Sequence, residues 1–410
     1  MKRTLVAFAV LLCGLLVPGL LRAQLILGQY EDEAPLGSWN VFGAPTAAAV
    51  GLGGAQFARA SDGSVALTNP ALLLTLPRLS ASVSGSYALA SMYTYSLVNT
   101  GVLASVGNLY AGVFGADYGG LAVHTGAWAF SLGAAVIEGY GRPRIAFSDA
   151  GYELTLDQTG YLRVFHGGIA RRLPAGLSVG FGLSYATGRL DRTIVETTAD
   201  ILRVVTITDD KSESFRGIFF NGGLAWEATK RLTAALAVRS PYVKKGAGRS
   251  LLHYQVPGEG TDIRIDAEAA NTYRQPWVLG AGVSYRFSDA WSLAADAAWY
   301  GWSRYRVTYF DEPLERPFRN VVRAGGGIEF LAPASMFGRS ARIPFRLGFL
   351  LDPQPMTTVH SSYGALTFGT GLHLGALALD LSAGFGREQG SGRSLVSRKV
   401  VLSVRYFFDE

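Results

Sequence analysis

The chain has 410 residues, a formal net charge of +6, 51 glycines and 12% aromatic residues, yet only 17% charged residues, below the roughly 25% usual for soluble domains. So sparse a charged surface argues against an ordinary water-soluble globular protein, and a basic balance dispersed along the chain, without a basic stripe carrying stacked aromatics, argues against a nucleic-acid partner. The single cysteine, Cys13, falls in the first apolar run, which leaves no disulfide framework and no thiolate metal site downstream.

Lys2 and Arg3 precede an apolar run at 5–21 that is broken by Gly14, Pro18 and Gly19 and followed by Ala23, a small residue suited to cleavage before Gln24. That pattern reads as a secretory signal peptide over residues 1–23. The run falls short of the roughly 20 apolar residues a spanning helix needs. Residues 24–77 show little alternation, are rich in Ala and Gly, and are too long for a simple connection. Within them Asp62-Gly63 and Asn69-Pro70 are turn initiators, the proline fixing its own φ, so the segment is expected to fold compactly rather than extend.

From residue 78 onward apolar residues recur at every second position. At 176–186, Leu177, Val179, Phe181, Leu183 and Tyr185 alternate with Gly, Ser and Ala, and the same split returns at 277–287, 366–374 and 399–408. Period two marks strands with unlike faces. Tight turns near Gly126, Pro174, Thr229, Ser288 and Gly375 alternate with long polar loops such as 190–212 and 353–364. Counting on that basis gives about 14 strands, an even number as antiparallel closure with both termini on one side requires. They are expected to begin near Leu79, Gly112, Ala127, Gly160, Gly176, Ser214, Arg231, Pro276, Trp291, Arg319, Ile343, Ala365, Leu377 and Ser397, with 244–271 an extracellular excursion. An exported apolar chain without spanning helices enters a membrane only if its backbone closes on itself and pairs every amide internally. The expected fold class is therefore all-β: a transmembrane antiparallel β-barrel over 78–410, with 24–77 as a hatch, or plug, in its lumen.

Charged residues on such strands must face inward, which places Arg239, Arg286, Asp296, Arg304, Arg323, Glu329, Arg346 and Asp380 in the lumen. For most of them the expected role is structural, opposed Arg and carboxylate groups bracing a wide interior. Arg239, Arg304 and Arg323 are the candidates to meet a ligand, beside Tyr300 and Trp302 on the same inner face, where an apolar tail would lie next to a cationic head; the alternative for these two aromatics, if the strand is bulged, is an interfacial girdle. Lys244 and Lys245 are expected in a solvated loop. The five histidines are scattered without metal-ligand spacing, and GLSVG at 176–180 puts Ser178 in mid-strand, without the strand-to-helix turn of a nucleophile elbow. Neither an enzyme activity nor a metal or cofactor is expected.

The block at 50–73, VGLGGAQFARASDGSVALTNPALL, resembles the hatch signature of the FadL (OmpP1/TodX) family, with Gly53, Gly54, Ala60, Asp62, Asn69, Pro70 and Ala71 in place. LAVRSPYVKKGAG at 236–248, DAWSLAADAAWYGWSRY at 289–305 and IPFRLGFLLDPQP at 343–355 resemble that family's later strands. The resemblance implies a monomeric channel in the bacterial outer membrane, both termini periplasmic, for long-chain fatty acids or similar hydrophobic small molecules. Such molecules would be captured by partition out of water and released inward, without an energy source, when the hatch shifts. It assigns hatch and gating roles to Asp62, Asn69, Pro70 and Ala71. The implied partners are the hydrophobic ligand, outer-membrane lipid and the barrel-assembly machinery. A kinked early strand opens the wall sideways in this family, and Gly119-Gly120 would suit such an interruption. The rival readings are a carrier or docking partner of a secretion system, a surface adhesin, and a nonspecific porin, the last opposed by the plug.

Overall fold

The computed structural model describes residues 46–97, 103–140, 142–149, 151–199, 203–309, 312–314, 317–357, 360–390 and 396–408. The expected signal peptide and the first part of the expected hatch, up to residue 45, lie outside the described residues.

One short helix, α1 (Ala47–Gly51), and two 3-10 turns, Gly63–Leu67 and Pro70–Thr75, precede the strands. The strands run β1 (Leu79–Leu97), β2 (Leu103–Thr125), β3 (Trp128–Gly139), β4 (Arg142–Asp149), β5 (Tyr152–Arg172), β6 (Leu177–Ala199), β7 (Val204–Glu227), β8 (Leu232–Arg239), β9 (Tyr242–Val256) and β10 (Thr261–Gln275). They continue as β11 (Val278–Arg286), β12 (Trp291–Tyr300), β13 (Arg306–Tyr309), β14 (Glu312–Leu314), β15 (Val321–Met336), β16 (Arg339–Pro353), β17 (Ser362–Leu374), β18 (Leu377–Gln389) and β19 (Val396–Phe407). Several are halves of one interrupted strand: β3 and β4 share the partner β5, and β8 and β9 share β7. Likewise β10 continues into β11 and β12 into β13, with β14 a short arm on β13. The result is a closed barrel of 14 antiparallel strands, sealed where β1 pairs with β19 from Ser80↔Phe407 to Ala90↔Ser397.

Closure gives every wall strand a neighbour on both sides, so a backbone immersed in hydrocarbon keeps its amides paired. The outward face is apolar as the alternation requires: Val179, Phe181, Leu183 and Tyr185 on β6, and Phe345, Leu347, Phe349 and Leu351 on β16, are all exposed. Their inward neighbours are small or polar, Ser178, Ser184 and Ala186 among them. No helix among the described residues is long and apolar enough to cross a membrane; the crossing is made by strands.

Each expected strand is present, but several run further than expected, and the expected loop at 190–212 is not a loop. β6 and β7 stay paired from Leu177↔Trp226 to Ala199↔Val204. The stretch is rich in Thr, Val and Ile, whose branching at Cβ suits a pleated backbone; its polar alternate positions made it look like a loop. The excursion at 244–271 is equally regular, a β9–β10 hairpin paired from Tyr242↔Gln275 to Val256↔Thr261. The outward apolar faces of β6 and β7 end near Tyr185 and Ile218, so both hairpins stand clear of the membrane. Pro241 and Pro276 sit at the junctions β8/β9 and β10/β11, facing one another across the sheet. Proline has no N–H to give the ladder, so the outer hairpin is joined to the barrel through a shared break.

Candidate functional site

Residues 46–77 run across the barrel interior and are held by strands from all around it. The Ala47 N–H donates to Ser403 Oγ at 2.8 Å and the Gly53 N–H to Thr367 Oγ1 at 3.1 Å. The N–H groups of Gln56 and Phe57 donate to Asp296 Oδ2 at 2.5 and 2.7 Å, and Asn221 Nδ2 donates to the Leu67 carbonyl at 2.5 Å. Within the segment, Asp62 caps the first 3-10 turn by accepting from the Ser64 N–H at 2.9 Å. Asn69 caps the second, accepting from the Ala71 N–H at 3.2 Å, while its amide donates to the carbonyls of Phe57 at 2.8 Å and Leu224 at 3.3 Å. Pro70 opens that turn, where its missing N–H costs nothing. Asp62, Asn69, Pro70 and Ala71 are thus brought together in one buried fold.

Glycines on the strand faces make room for this segment. A Cβ on Gly180 would lie 2.3 Å from the Ala71 nitrogen, and one on Gly223 would lie 1.9 Å from Asn69 Oδ1. Gly53, at φ +67°, packs against the backbone at Gly325, Gly326 and Gly348. Two backbones approach this closely only where neither carries a side chain.

The registers set the candidate ligand residues on one row. Arg239 on β8 stands opposite Val278 on β11, Val278 opposite Tyr300 on β12, and Tyr300 opposite Val321 on β15. All four are buried and share the inner face. Arg323 lies two residues from Val321, its Nε 3.9 Å from Asp352 Oδ1. Tyr300 and Trp302 stack with ring centres 6.3 Å apart, and Trp302 meets Tyr305 and Phe318 edge-on at 5.7 and 6.2 Å. Arg304 departs from expectation. β12 ends at Tyr300 and the chain turns through Trp302–Arg304 as a 3-10 turn, so strand alternation no longer applies and Arg304 is exposed.

A second group, which the sequence did not reveal, extends the aromatic lining toward the long-loop end. Lys244 is wholly buried, not in a solvated loop: its Nζ bonds Glu138 Oε2 and the Tyr140 hydroxyl, both at 2.9 Å. The ammonium also lies 4.8 Å from the Phe215 ring centre and 4.9 Å from that of Tyr273. Beside it Glu213 accepts from Tyr273 and Asn271 and pairs with Lys211 at 3.3 Å. The strand period that carries Tyr242 inward carries Lys244 with it; the sequence offered no sign that Glu138 would be waiting there. Phe57 closes the cluster from below. What remains between Gly54, Phe57, Tyr300 and Arg323 is a cavity of about 20 Å³, room for one water.

Of the other charges expected to face inward, Arg346, Glu329 and Asp380 form the expected brace, whereas Arg286 is exposed and, among the described residues, makes no ion pair. Arg346 bonds Glu329 and Asp380, each at 2.6 Å; Arg59 joins Glu329, and Arg405 joins Asp380.

A family model described as outer membrane protein transport protein (OMPP1/FadL/TodX) matches residues 39–313, more than half the chain. The chain belongs to this family. Among solved structures, a Pseudomonas aeruginosa FadL homologue superposes with a TM-score of 0.61 at 17% identity, covering 90% of this chain and 100% of that one. The toluene transporter TbuX of Ralstonia pickettii gives 0.62 at 16% over 90% and 100%, and the toluene transporter TodX of Pseudomonas putida 0.61 at 13% over 90% and 99%. At these identities the likeness establishes the fold alone. No curated protein is matched. The FadL-family chain is thus an outer-membrane barrel for transport of hydrophobic compounds.

In this FadL-family barrel the wall is not uniformly paired. β2 pairs with β1 along nearly its whole length, but with β3 only from Thr125↔Trp128 to Tyr118↔Ala135. Beyond that point, among the described residues, β2 forms no ladder with β3 or β4. Both strands are irregular there, β2 at Asp117 and β3 at Ile137, where each register slips by one residue. The expected interruption at Gly119-Gly120 is therefore displaced: those glycines pair regularly, and the bulge at Asp117 ends the ladder.

Proposed function

We propose that the barrel carries hydrophobic small molecules from its long-loop end to its short-turn end, the former facing the exterior and the latter, with both termini, the periplasm. Residues 46–77 act as the plug. The molecule rests among the rings of Tyr300, Trp302, Tyr305 and Phe318, and leaves when the segment bearing Phe57 withdraws, sideways through the β2–β3 seam or past the plug. Phe57 supports this reading: it packs in the same buried cluster as Tyr300, Trp302 and Tyr305, with a cavity of about 20 Å³ beside it.

For the cargo we infer neutral, ring-containing molecules ahead of fatty acids. The observation that carries this is the aromatic cluster itself, whose cations Lys211, Lys244, Arg239 and Arg323 already have partners within the protein. Toluene transporters among the solved relatives point the same way. The fatty-acid reading stands second, with Arg239 beside Tyr300 as partner of the carboxylate. Uptake of toluene and of oleate by cells producing wild-type, Tyr300→Ala or Arg239→Gln chain decides between them. Toluene uptake lost with Tyr300→Ala and kept with Arg239→Gln is expected; oleate uptake that depends on Arg239 would reverse the order.

A further inference from the structure

At the short-turn end, apart from the aromatic lumen, a concave vestibule of about 930 Å³ opens between the amino-terminal segment and the wall. Six cations line it, Arg59, Arg172, Lys230, Arg231, Arg286 and Arg342, against three carboxylates, Glu227, Asp289 and Glu329. Two of the cations are committed, Arg59 to Glu329 and to Ser292 Oγ at 2.7 Å, and Arg172 to the Leu74 carbonyl at 3.2 Å. Among the described residues, the side chains of Lys230, Arg231, Arg286 and Arg342 make no hydrogen bond or ion pair. They come from three places, the β7–β8 turn, the end of β11 and β16, so the fold, and not one run of sequence, gathers them. Leu74, Leu331, Ala58 and Ala60 supply an apolar part of the lining.

We propose that this vestibule binds a small organic carboxylate with an apolar body. Like charges converging on one concavity raise the local potential and favour an anion. Guanidinium groups match a carboxylate as a two-pronged donor. The volume lies within the roughly 300–1,000 Å³ usual for small-molecule sites, and the leucines receive the apolar body. The proposal goes beyond the channel reading: the site lies outside the aromatic lumen and takes charged molecules.

The test is equilibrium binding of octanoate and benzoate to the full mature chain in phosphatidylcholine nanodiscs, with octanol and benzyl alcohol as neutral counterparts. Carboxylate binding is expected to exceed that of the matched alcohols and to fall as salt is raised. Arg286→Gln with Arg342→Gln is expected to weaken it about tenfold or more. Lys230→Gln with Arg231→Gln, confined to an exposed turn, is expected to weaken it severalfold and supplies the readout if the first pair does not fold. Carboxylates that bind no better than the alcohols, that are unaffected by both pairs, or that are displaced by equal concentrations of inorganic phosphate overturn the proposal. Toluene uptake by the same variants is expected to stay at the wild-type level, so loss of the lumen reading would register separately.

Discussion

Asn69 shows how much one side chain can hold. It caps a 3-10 turn through Ala71, and its amide reaches the Phe57 carbonyl on one side and the Leu224 carbonyl of the wall on the other. Asn69→Ala removes the cap and leaves the buried Phe57 carbonyl without this donor, a loss of about 2–3 kcal/mol. Urea unfolding of the reconstituted protein should show it as a lowered midpoint, and a midpoint within error of wild type would mean that the turn is held by packing alone. The dipeptide was readable in sequence as a turn; its reach to Leu224 was not, because that contact spans residues far apart in the chain. Lys244 was misplaced for the same reason. Burial of an ammonium is tolerable here because Glu138 and Tyr140 satisfy it and three rings face it. Lys244→Met leaves Glu138 buried without its cation and is expected to cost about 3–5 kcal/mol. Adding Glu138→Gln should restore much of that; a double variant as unstable as the single would show that the pair is not the source of the loss.

At the scale of elements, alternation identified every wall strand because the two faces meet different media, lipid and lumen, and the pattern is strict wherever both are present. It failed where the strands leave the membrane, since a hairpin with water on both faces has no reason to alternate. The β9–β10 hairpin carries there an exposed ion pair, Arg249–Asp266 at 2.5 Å, and a hydrogen bond between His253 and Asp262 at 2.8 Å. The hydrogen bond from His253 holds the Asp262 carboxyl below its ordinary value, and that from Arg249 does the same for Asp266. A carboxylate whose pKa is depressed by folding stabilises the fold above its ordinary value and loses that contribution as pH falls through the depressed one. Amide exchange at 253–264 should therefore quicken as pH falls below about 4 relative to the intrinsic rate, and Asp262→Asn should exchange fast at all pH. The glycines act at this scale too. Alternation marked Gly180 as an inner-face residue without saying what it faced. With Ala71 only 2.3 Å from a Cβ placed there, Gly180→Val should push the second 3-10 turn off the wall, seen as protease cleavage within 62–77 while the barrel stays heat-resistant.

At the scale of the whole molecule, the closed wall was legible and the position of its weak seam was not. Gly119-Gly120 looked like the break because glycine weakens strands, but the ladder runs one pair past them to Tyr118 and stops at the extra residue Asp117, and a bulge leaves no mark in composition. Whether the amino-terminal segment must move for passage is a property of the assembled barrel, and it can be tested with a chain whose one cysteine, Cys13, lies in the expected leader. A Cβ on Gly63 would lie 3.4 Å from the Cβ of Ala122, close to the roughly 3.5–4.5 Å of a disulfide, with the nearby Tyr118 hydroxyl yielding slightly. Gly63→Cys with Ala122→Cys should therefore tie the first 3-10 turn to β2 when oxidised. Uptake of toluene should stop in the oxidised protein and return on reduction, while each single variant transports normally. Full uptake with the bond intact would show that the segment can stay pinned at Gly63 while cargo passes, and would confine the moving part to the Phe57 side of that segment or to the β2–β3 seam.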